Sequence, residues 1–279
     1  MPETTRFAPS PTGYLHLGTV HSAFFAARAA DDGGRFLLRI EDIDPTRCRP
    51  EYTQAIFEDL AWLGLRWEEP VRVQSQHLYD YHRALERLQA MGLVYPCFCT
   101  RSDIAQEIAR SGAAPHGADG VPYPGTCRRL SPEERAAATR SGRQFALRLD
   151  MGKATARAGA LEWHDRARGT IQARPERAGD VVIARRETPT SYHLSVTVDD
   201  ALQGITLVTR GEDLVEATDI HRLLQKLLDL PTPEYWHHGL LLDAEGKRLA
   251  KRDRATTIRD LRAAGKSAAD VRALAGFPD

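Results

Sequence analysis

RFAPSPTGYLHLG, residues 6–18, decides how the rest of the chain is read. It starts as a short strand, turns through a loop punctuated by Pro9, Pro11 and Gly13, and runs into a helical pattern from about Thr19 to Ala30. A loop of this kind places His16 and a set of backbone N–H groups at a helix N-terminus, where phosphates are favoured. Gly18 would let a nucleotide come close to the backbone. Taken alone, an H-x-G triplet fits an ordinary structural turn equally well.

The next pieces extend the pattern. RFLLRI, Arg35 to Ile40, is a compact apolar run that fits a buried parallel strand, and it ends in the acidic turn Glu41 to Asp44. Helical patterns follow from Glu51 to Leu63, with Ile56, Leu60 and Leu63 on one face, and from Tyr79 to Met91. Alternating strands and helices predict an α/β fold with a Rossmann-type parallel sheet. Ligand loops of such sheets leave the carboxyl ends of the strands, so the first loop and the acidic turn are expected side by side. From Cys97 to about Arg177, Gly, Pro, Ala and Arg dominate, as in an insertion. Strand signals return in DVVIAR (Asp180 to Arg185), YHLSVTVDD (Tyr192 to Asp200) and ITLVTRGED (Ile205 to Asp213). The expected division is 1–94 with 178–240 as a split catalytic domain, 95–177 as the insertion, and 241–279 as a basic loop followed by a short helical stub.

Far downstream, RLAKR (Arg248 to Arg252) lies in a Gly-containing stretch. A loop carrying Lys251 can close over ATP and neutralise charge growing on a leaving pyrophosphate. The wider stretch from Lys247 to Lys266 adds Arg254, Arg259 and Arg262, which suits either an RNA-facing surface or a solvated helix face.

Together and in this order, these blocks resemble the glutamyl branch of the class I aminoacyl-tRNA synthetases. RFAPSPTGYLHLG is similar to that branch's extended HIGH signature, RIEDID to its next block, and YHLSVTVDDALQGITLVTRGEDL to the block after. RLAKR occupies the place of the KMSKS signature, with Arg248 and Ala250 where Lys and Ser are commoner. The resemblance implies an L-glutamate pocket lined by Arg6, Phe7, Ala8, Pro9, Ser10, Glu41, Tyr192 and Arg210. It also implies ATP, with Mg2+, bound by His16, Gly18 and Lys251, of which His16 and Lys251 act in catalysis. The residue chemistry agrees: Arg6 and Arg210 are planar permanent cations suited to a carboxylate. Glu41 suits an ammonium group, and Tyr192 adds a hydroxyl. An ion pair of Arg210 with Glu212 or Asp213 is the bland alternative. Val196 stands where full-length glutamyl enzymes often carry Asn.

The four cysteines are Cys48, Cys97, Cys99 and Cys127. Cys97, Cys99 and Cys127 offer three soft ligands on a loop-rich insertion where a metal would replace a missing core. His116 and His164 are the statistically favoured fourth ligands. The resemblance nominates Tyr123 instead, since one branch of the family, the glutamyl-queuosine tRNA(Asp) synthetases, pairs C-x-C with Y-x3-C around one structural Zn2+. Cys48 reads as a free thiol. That branch also has a short plan without an anticodon-binding domain, as this sequence leads one to expect. It implies transfer of activated glutamate to queuosine in the anticodon of tRNA(Asp). A truncated glutamyl-tRNA synthetase, a glutaminyl enzyme and a non-catalytic RNA-binding paralogue are the rival readings.

Bulk properties set the outer limits. The 279 residues include 38 Lys plus Arg and 38 Asp plus Glu, so the formal net charge is zero. That argues against a surface that grips nucleic acid over its whole extent, and leaves room for a local basic face. The N-terminus has no basic start followed by an apolar run, and no stretch reaches membrane-spanning length. A cytoplasmic monomer is the expectation.

Overall fold

Thr4–Phe7 (β1) and Arg35–Ile40 (β2) pair in parallel, with Arg6 opposite Leu37 and Phe7 opposite Leu38, and the helix Leu17–Ala29 (α1) makes the crossover. Pro50–Trp62 (α2) then leads to Glu68–Val73 (β3), parallel to β2 on its other side, and Leu78–Ala90 (α3) follows. Strand, helix, strand, helix thus builds the parallel sheet the sequence predicts. The helix bounds fall one or two residues ahead of expectation. The computed structural model describes residues 2–30, 33–100, 102–103, 123–185, 188–241 and 256–278.

The inserted part carries Val94–Cys97 (β4), Pro132–Arg140 (α4), Ala146–Leu149 (β5), Met151–Ala158 (α5), Glu162–Asp165 (β6), Gly169–Gln172 (β7) and Val182–Arg185 (β8). DVVIAR yields β8, but this strand is hydrogen-bonded antiparallel to β5 and completes the small β4-β5-β8 sheet. β6 and β7, though within 95–177, belong to the larger sheet that follows and not to this small one. The catalytic sheet thus resumes inside the segment expected to be an insertion, while β8, expected in the catalytic domain, does not join it. Tyr192–Leu202 (α6) is followed by Leu207–Gly211 (β9), Val215–Leu227 (α7) and Glu234–His238 (β10).

YHLSVTVDD is therefore a helix and not the strand its Val and Thr residues suggest. Ser191 caps it, its hydroxyl accepting from the Leu194 N–H at 3.4 Å. The hydroxyls of Ser195 and Thr197 donate to the carbonyls of Ser191 and His193 within the helix. Every residue from Leu194 to Asp200 is buried. A helix buried all round shows no 3.6-residue alternation, so periodicity misreads it.

In the second sheet β9 and β6 flank β10 in parallel, and β7 pairs antiparallel to β6. The two sheets meet where the Thr206 N–H donates to the Thr4 carbonyl (3.0 Å) and the Thr4 N–H to the Thr206 hydroxyl (2.9 Å). The carboxyl ends of β1, β2 and β9 consequently open on the same side.

One apolar core packs α3, α5, α6 and α7 together. Another joins β1, β2, α1 and α2 to the C-terminal helices Ile258–Ala263 (α8) and Ala268–Leu274 (α9) through the fully buried Ile258 and Val271. The helical stub expected at the C-terminus thus takes the form of a helix pair. It is tied to the first loop, since the Ile258 N–H donates to the Leu15 carbonyl at 2.9 Å and Thr257 bridges His16. Among the described residues no helix is long and apolar enough to cross a membrane.

Candidate active site

A cavity of 600 Å³ opens over the carboxyl ends of β1, β2 and β9. Arg6, Phe7, Ala8, Pro9, Ser10, His16, Gly18, Glu41, Tyr192 and Arg210 all line it. Every glutamate- or ATP-site residue expected from the sequence is thus gathered there except Lys251, which with Arg248 and Ala250 lies outside the described residues. Thr209, Gly211, Asp213, His21, His238 and Leu241 add to the walls, and none of them was expected as a site residue.

The nucleotide end follows from local capping. His16 precedes α1 with extended backbone, and the Thr19 hydroxyl accepts the His16 N–H (2.9 Å) while donating to the His16 carbonyl (2.6 Å). The helix N-terminus, with Gly18 in its first turn, faces the cavity, which suits an anion. Gly211 holds the opposite wall. A Cβ there would lie 2.5 Å from Asp213 Oδ1 and 2.9 Å from Leu240 Cδ2, so no other residue fits without a shift.

The two arginines that line the cavity are in opposite electrostatic states. Arg6 is 5% exposed and spends its donors within the protein: Nε on Asp200 Oδ1 (2.9 Å), Nη2 on Asp200 Oδ2 (3.4 Å) and Nη1 on the Thr209 carbonyl (3.1 Å). Asp200 also pairs with the fully buried Arg39 at 2.9 Å. Burial pushes the Asp200 carboxyl up, but the two arginines hold it below its usual value. Asp199, next along α6, takes Arg72 (2.7 Å), Gln74 (2.8 Å) and the Tyr81 hydroxyl. The Asp199–Asp200 pair thus anchors three arginines, a role that reading the segment as a strand concealed.

Arg210 is 6% exposed, and among the described residues it has no carboxylate within ion-pair distance. Nε donates to His237 Nε2 (3.2 Å), Nη1 to His221 Nδ1 (3.1 Å) and the Tyr192 hydroxyl (3.4 Å), and Nη2 to the Thr218 hydroxyl. The pairing with Glu212 or Asp213 is not what its geometry provides. Burial and then the Arg210 charge push the His237 imidazole down to about 4 and His221 well below the usual range, so both rings are neutral.

Glu41 closes the cavity near the end of β2, with Oε1 3.4 Å from Arg39. Burial raises its carboxyl to about 7, against the lowering effect of Arg39 and Arg6. Near neutral pH it is divided between acid and anion, and an incoming cation would stabilise the anion.

Away from the cavity, the Cys97, Cys99 and Cys127 sulfurs all lie within 4.8 Å of one another. The Tyr123 hydroxyl is 3.5 Å from Cys99 Sγ and accepts the Cys127 N–H at 2.8 Å. His164 stands on β6 beside Thr170, apart from the sulfurs, and His116 lies outside the described residues. Burial raises the Cys99 thiol to about 12 and raises the Tyr123 phenol as well. Three sulfurs with a phenol oxygen alongside fit a tetrahedral metal, which would hold the thiolates ionised. The Arg148 guanidinium, 4.0 Å over the Tyr123 ring, would favour a phenolate there. Cys48 is free.

Comparisons with known proteins agree with this geometry. Residues 3–273 match the family described as tRNA synthetases class I (E and Q), catalytic domain. The chain is 53% identical to the glutamyl-Q tRNA(Asp) synthetase of Rhodobacter capsulatus, over 98% of this chain and 99% of that one. It is 44% identical to the protein of the same name from Nitratidesulfovibrio vulgaris, over 95% and 83%. Among solved structures it resembles a glutamate tRNA ligase from Elizabethkingia meningosepticum in complex with its amino acid, with a TM-score of 0.74 and 28% identity. That match covers 91% of this chain and 52% of the solved one, so the chain spans about half the length of the longer ligase. With signature loops, sheet and cavity in agreement, the chain belongs to the class I family of glutamyl and glutaminyl tRNA synthetases, in the branch of the glutamyl-Q tRNA(Asp) synthetases.

Proposed function

We propose that the protein activates L-glutamate with ATP, without needing tRNA, and transfers it to queuosine in the anticodon of tRNA(Asp). The observation that carries the first half is the joint placement of Glu41, Arg210 and the His16–Gly18 turn around one cavity. These are an ammonium acceptor, a carboxylate receptor and a phosphate-favouring helix N-terminus. The names and high identity of its relatives support the acceptor.

Glutamate sits with its side-chain carboxylate on Arg210 and its ammonium on Glu41. Arg6, paired with Asp200, lines the wall beside the glutamate, and Tyr192 adds a hydroxyl. Phe7, Ala8, Pro9 and Ser10 form the adjoining wall. One α-carboxylate oxygen attacks the α-phosphorus of ATP, which enters as its Mg2+ complex. The bond to the β-phosphate bridging oxygen breaks, and glutamyl-adenylate and pyrophosphate result. His16, the α1 N-terminus and Lys251 stabilise the phosphate charge, so catalysis rests on positioning and electrostatics. A cyclopentene hydroxyl of queuosine then attacks the mixed anhydride, losing its proton and releasing AMP as the ester forms. That base must leave the anticodon stack to be reached.

Cys97, Cys99, Cys127 and Tyr123 would hold one Zn2+, whose chemistry there is structural. A division into a catalytic part that includes β6 and β7, a small β4-β5-β8 insertion and a C-terminal helix pair goes with this reading. A cytoplasmic setting goes with it as well.

Labelled glutamate and ATP, offered tRNA(Asp) with and without queuosine beside tRNA(Glu), test both halves. Glutamate-dependent pyrophosphate exchange without tRNA, and transfer only to queuosine-bearing tRNA(Asp), is the expected result. Transfer that ignores queuosine, or that favours tRNA(Glu), would return the 3′-end-charging reading.

A further inference from the structure

Arginine can only donate hydrogen bonds, so each group facing Arg210 must accept. This fixes the hydrogens of the whole surround. His237 presents a bare Nε2 to Arg210, so its proton sits on Nδ1 and is donated to Asp165 Oδ2 at 2.7 Å. Asp165, itself fully buried, is held by the backbone N–H groups of Ala167, Arg168 and His237. His221 presents a bare Nδ1, so its proton sits on Nε2 and points to His193 Nδ1 at 3.2 Å. The Thr218 hydroxyl accepts from Nη2 and the Tyr192 hydroxyl from Nη1, which uses four of the five Arg210 donors.

We propose that Asp165–His237 on one side and His193–His221 on the other are positioning pairs that lock neutral acceptors against Arg210, leaving its charge uncompensated until a substrate carboxylate arrives. Resting on the glutamate reading above, the inference names what sets preference for a carboxylate over an amide. Four neutral partners orient the guanidinium as rigidly as an acid would. A carboxylate in their place would cancel the charge, as Asp200 does for Arg6. The side chain of glutamine, neutral and isosteric with glutamate, then gains one more neutral acceptor contact with Arg210, whereas glutamate supplies the missing anion. Asp165 contributes through His237 without touching Arg210: it dictates which ring nitrogen is bare.

The test separates charge from shape. Asn and Asp share a shape, and either places an oxygen near the position of His221 Nδ1. His221→Asn keeps a neutral acceptor there, whereas His221→Asp introduces a carboxylate. His237→Gln and His237→Glu form the second pair, matched to the more distant Nε2, and serve if the first pair folds poorly. Glutamate-dependent pyrophosphate exchange is measured for each, with glutamine as competing substrate, and thermal melts establish folding. The expected result is a glutamate KM about tenfold or more higher in the acid member than in the amide member of a pair. The glutamate-over-glutamine ratio should fall with it, while kcat differs much less. A merely structural role would move both members alike, and equal KM values within both pairs would overturn the proposal. Absence of exchange in the unmutated protein would instead defeat the glutamate reading itself, so the two failures are distinguishable.

Discussion

Glu41 shows how a single residue ties recognition to pH. It is expected to hold the substrate ammonium only when ionised, and burial has raised its carboxyl to about 7. Below that value the empty site is largely protonated, and part of the binding energy must go to removing the proton. The KM for glutamate should therefore rise as pH falls from about 8 to 6. Glu41→Gln should raise KM by about tenfold to a hundredfold and flatten that dependence. Steady-state exchange over this pH range checks both, and an unchanged slope in the variant would assign the titration elsewhere. At this scale the sequence was informative wherever a residue's chemistry is its own. Glu41, Arg210 and the His16 turn were singled out by the ordered blocks that resemble the synthetase family, and the local chemistry of an anion, a cation and a helix start agreed. The opposite states of Arg6 and Arg210 were not legible, since those depend on Asp200 and His221, distant in sequence and brought in by packing.

Among the elements, the sheet of β6, β10 and β9 is pinned by a buried side chain from each strand: Asp165, His237 and Arg210. His237 resists protonation down to about 4, whereas an unfolded histidine takes up a proton near 6.5. Between these values the unfolded state binds more protons, so stability falls as pH drops. Glu41 opposes this, because its raised value favours the folded state on acidification over about 4.5 to 7. A melting-temperature series in wild type and His237→Gln isolates the histidine part. The variant should lose less stability than wild type between pH 6.5 and 4, and parallel curves would reject the assignment. β1, β2, β9 and the first three helices were readable from their patterns because each has one buried and one polar face, or a short buried run between turn signals. α6 was not, because it is buried on every side and rich in β-branched residues. β8 was found as a strand but attached to the wrong sheet, since pairing partners leave no mark in a four-residue run.

For the molecule as a whole, stability is unevenly distributed. The parallel sheets rest on extended apolar cores, whereas at the β4 end of the insertion the buried cluster among the described residues is Tyr95, Cys97, Phe98, Tyr123 and Cys127. A cluster that small needs a staple, which the three sulfurs would supply by binding zinc. Elemental analysis should find one zinc per chain, lost in Cys127→Ser. Chelation should raise hydrogen exchange in β4 and β5 while sparing β1 and β2. Equal zinc content in wild type and variant would place the metal elsewhere.

The tie between Thr257 and His16 bears on the lysine the described residues omit. Leu241 lines the cavity on one side of residues 242–255, and Thr257 is fixed beside the nucleotide turn on the other. Lys251 is six residues from Thr257, so a fully extended chain lets it stray no farther than about 20 Å from that anchor. Confinement of this kind amounts to a standing local concentration in the millimolar range or above. In the proposed reading, connectivity alone keeps the amine near the nucleotide end.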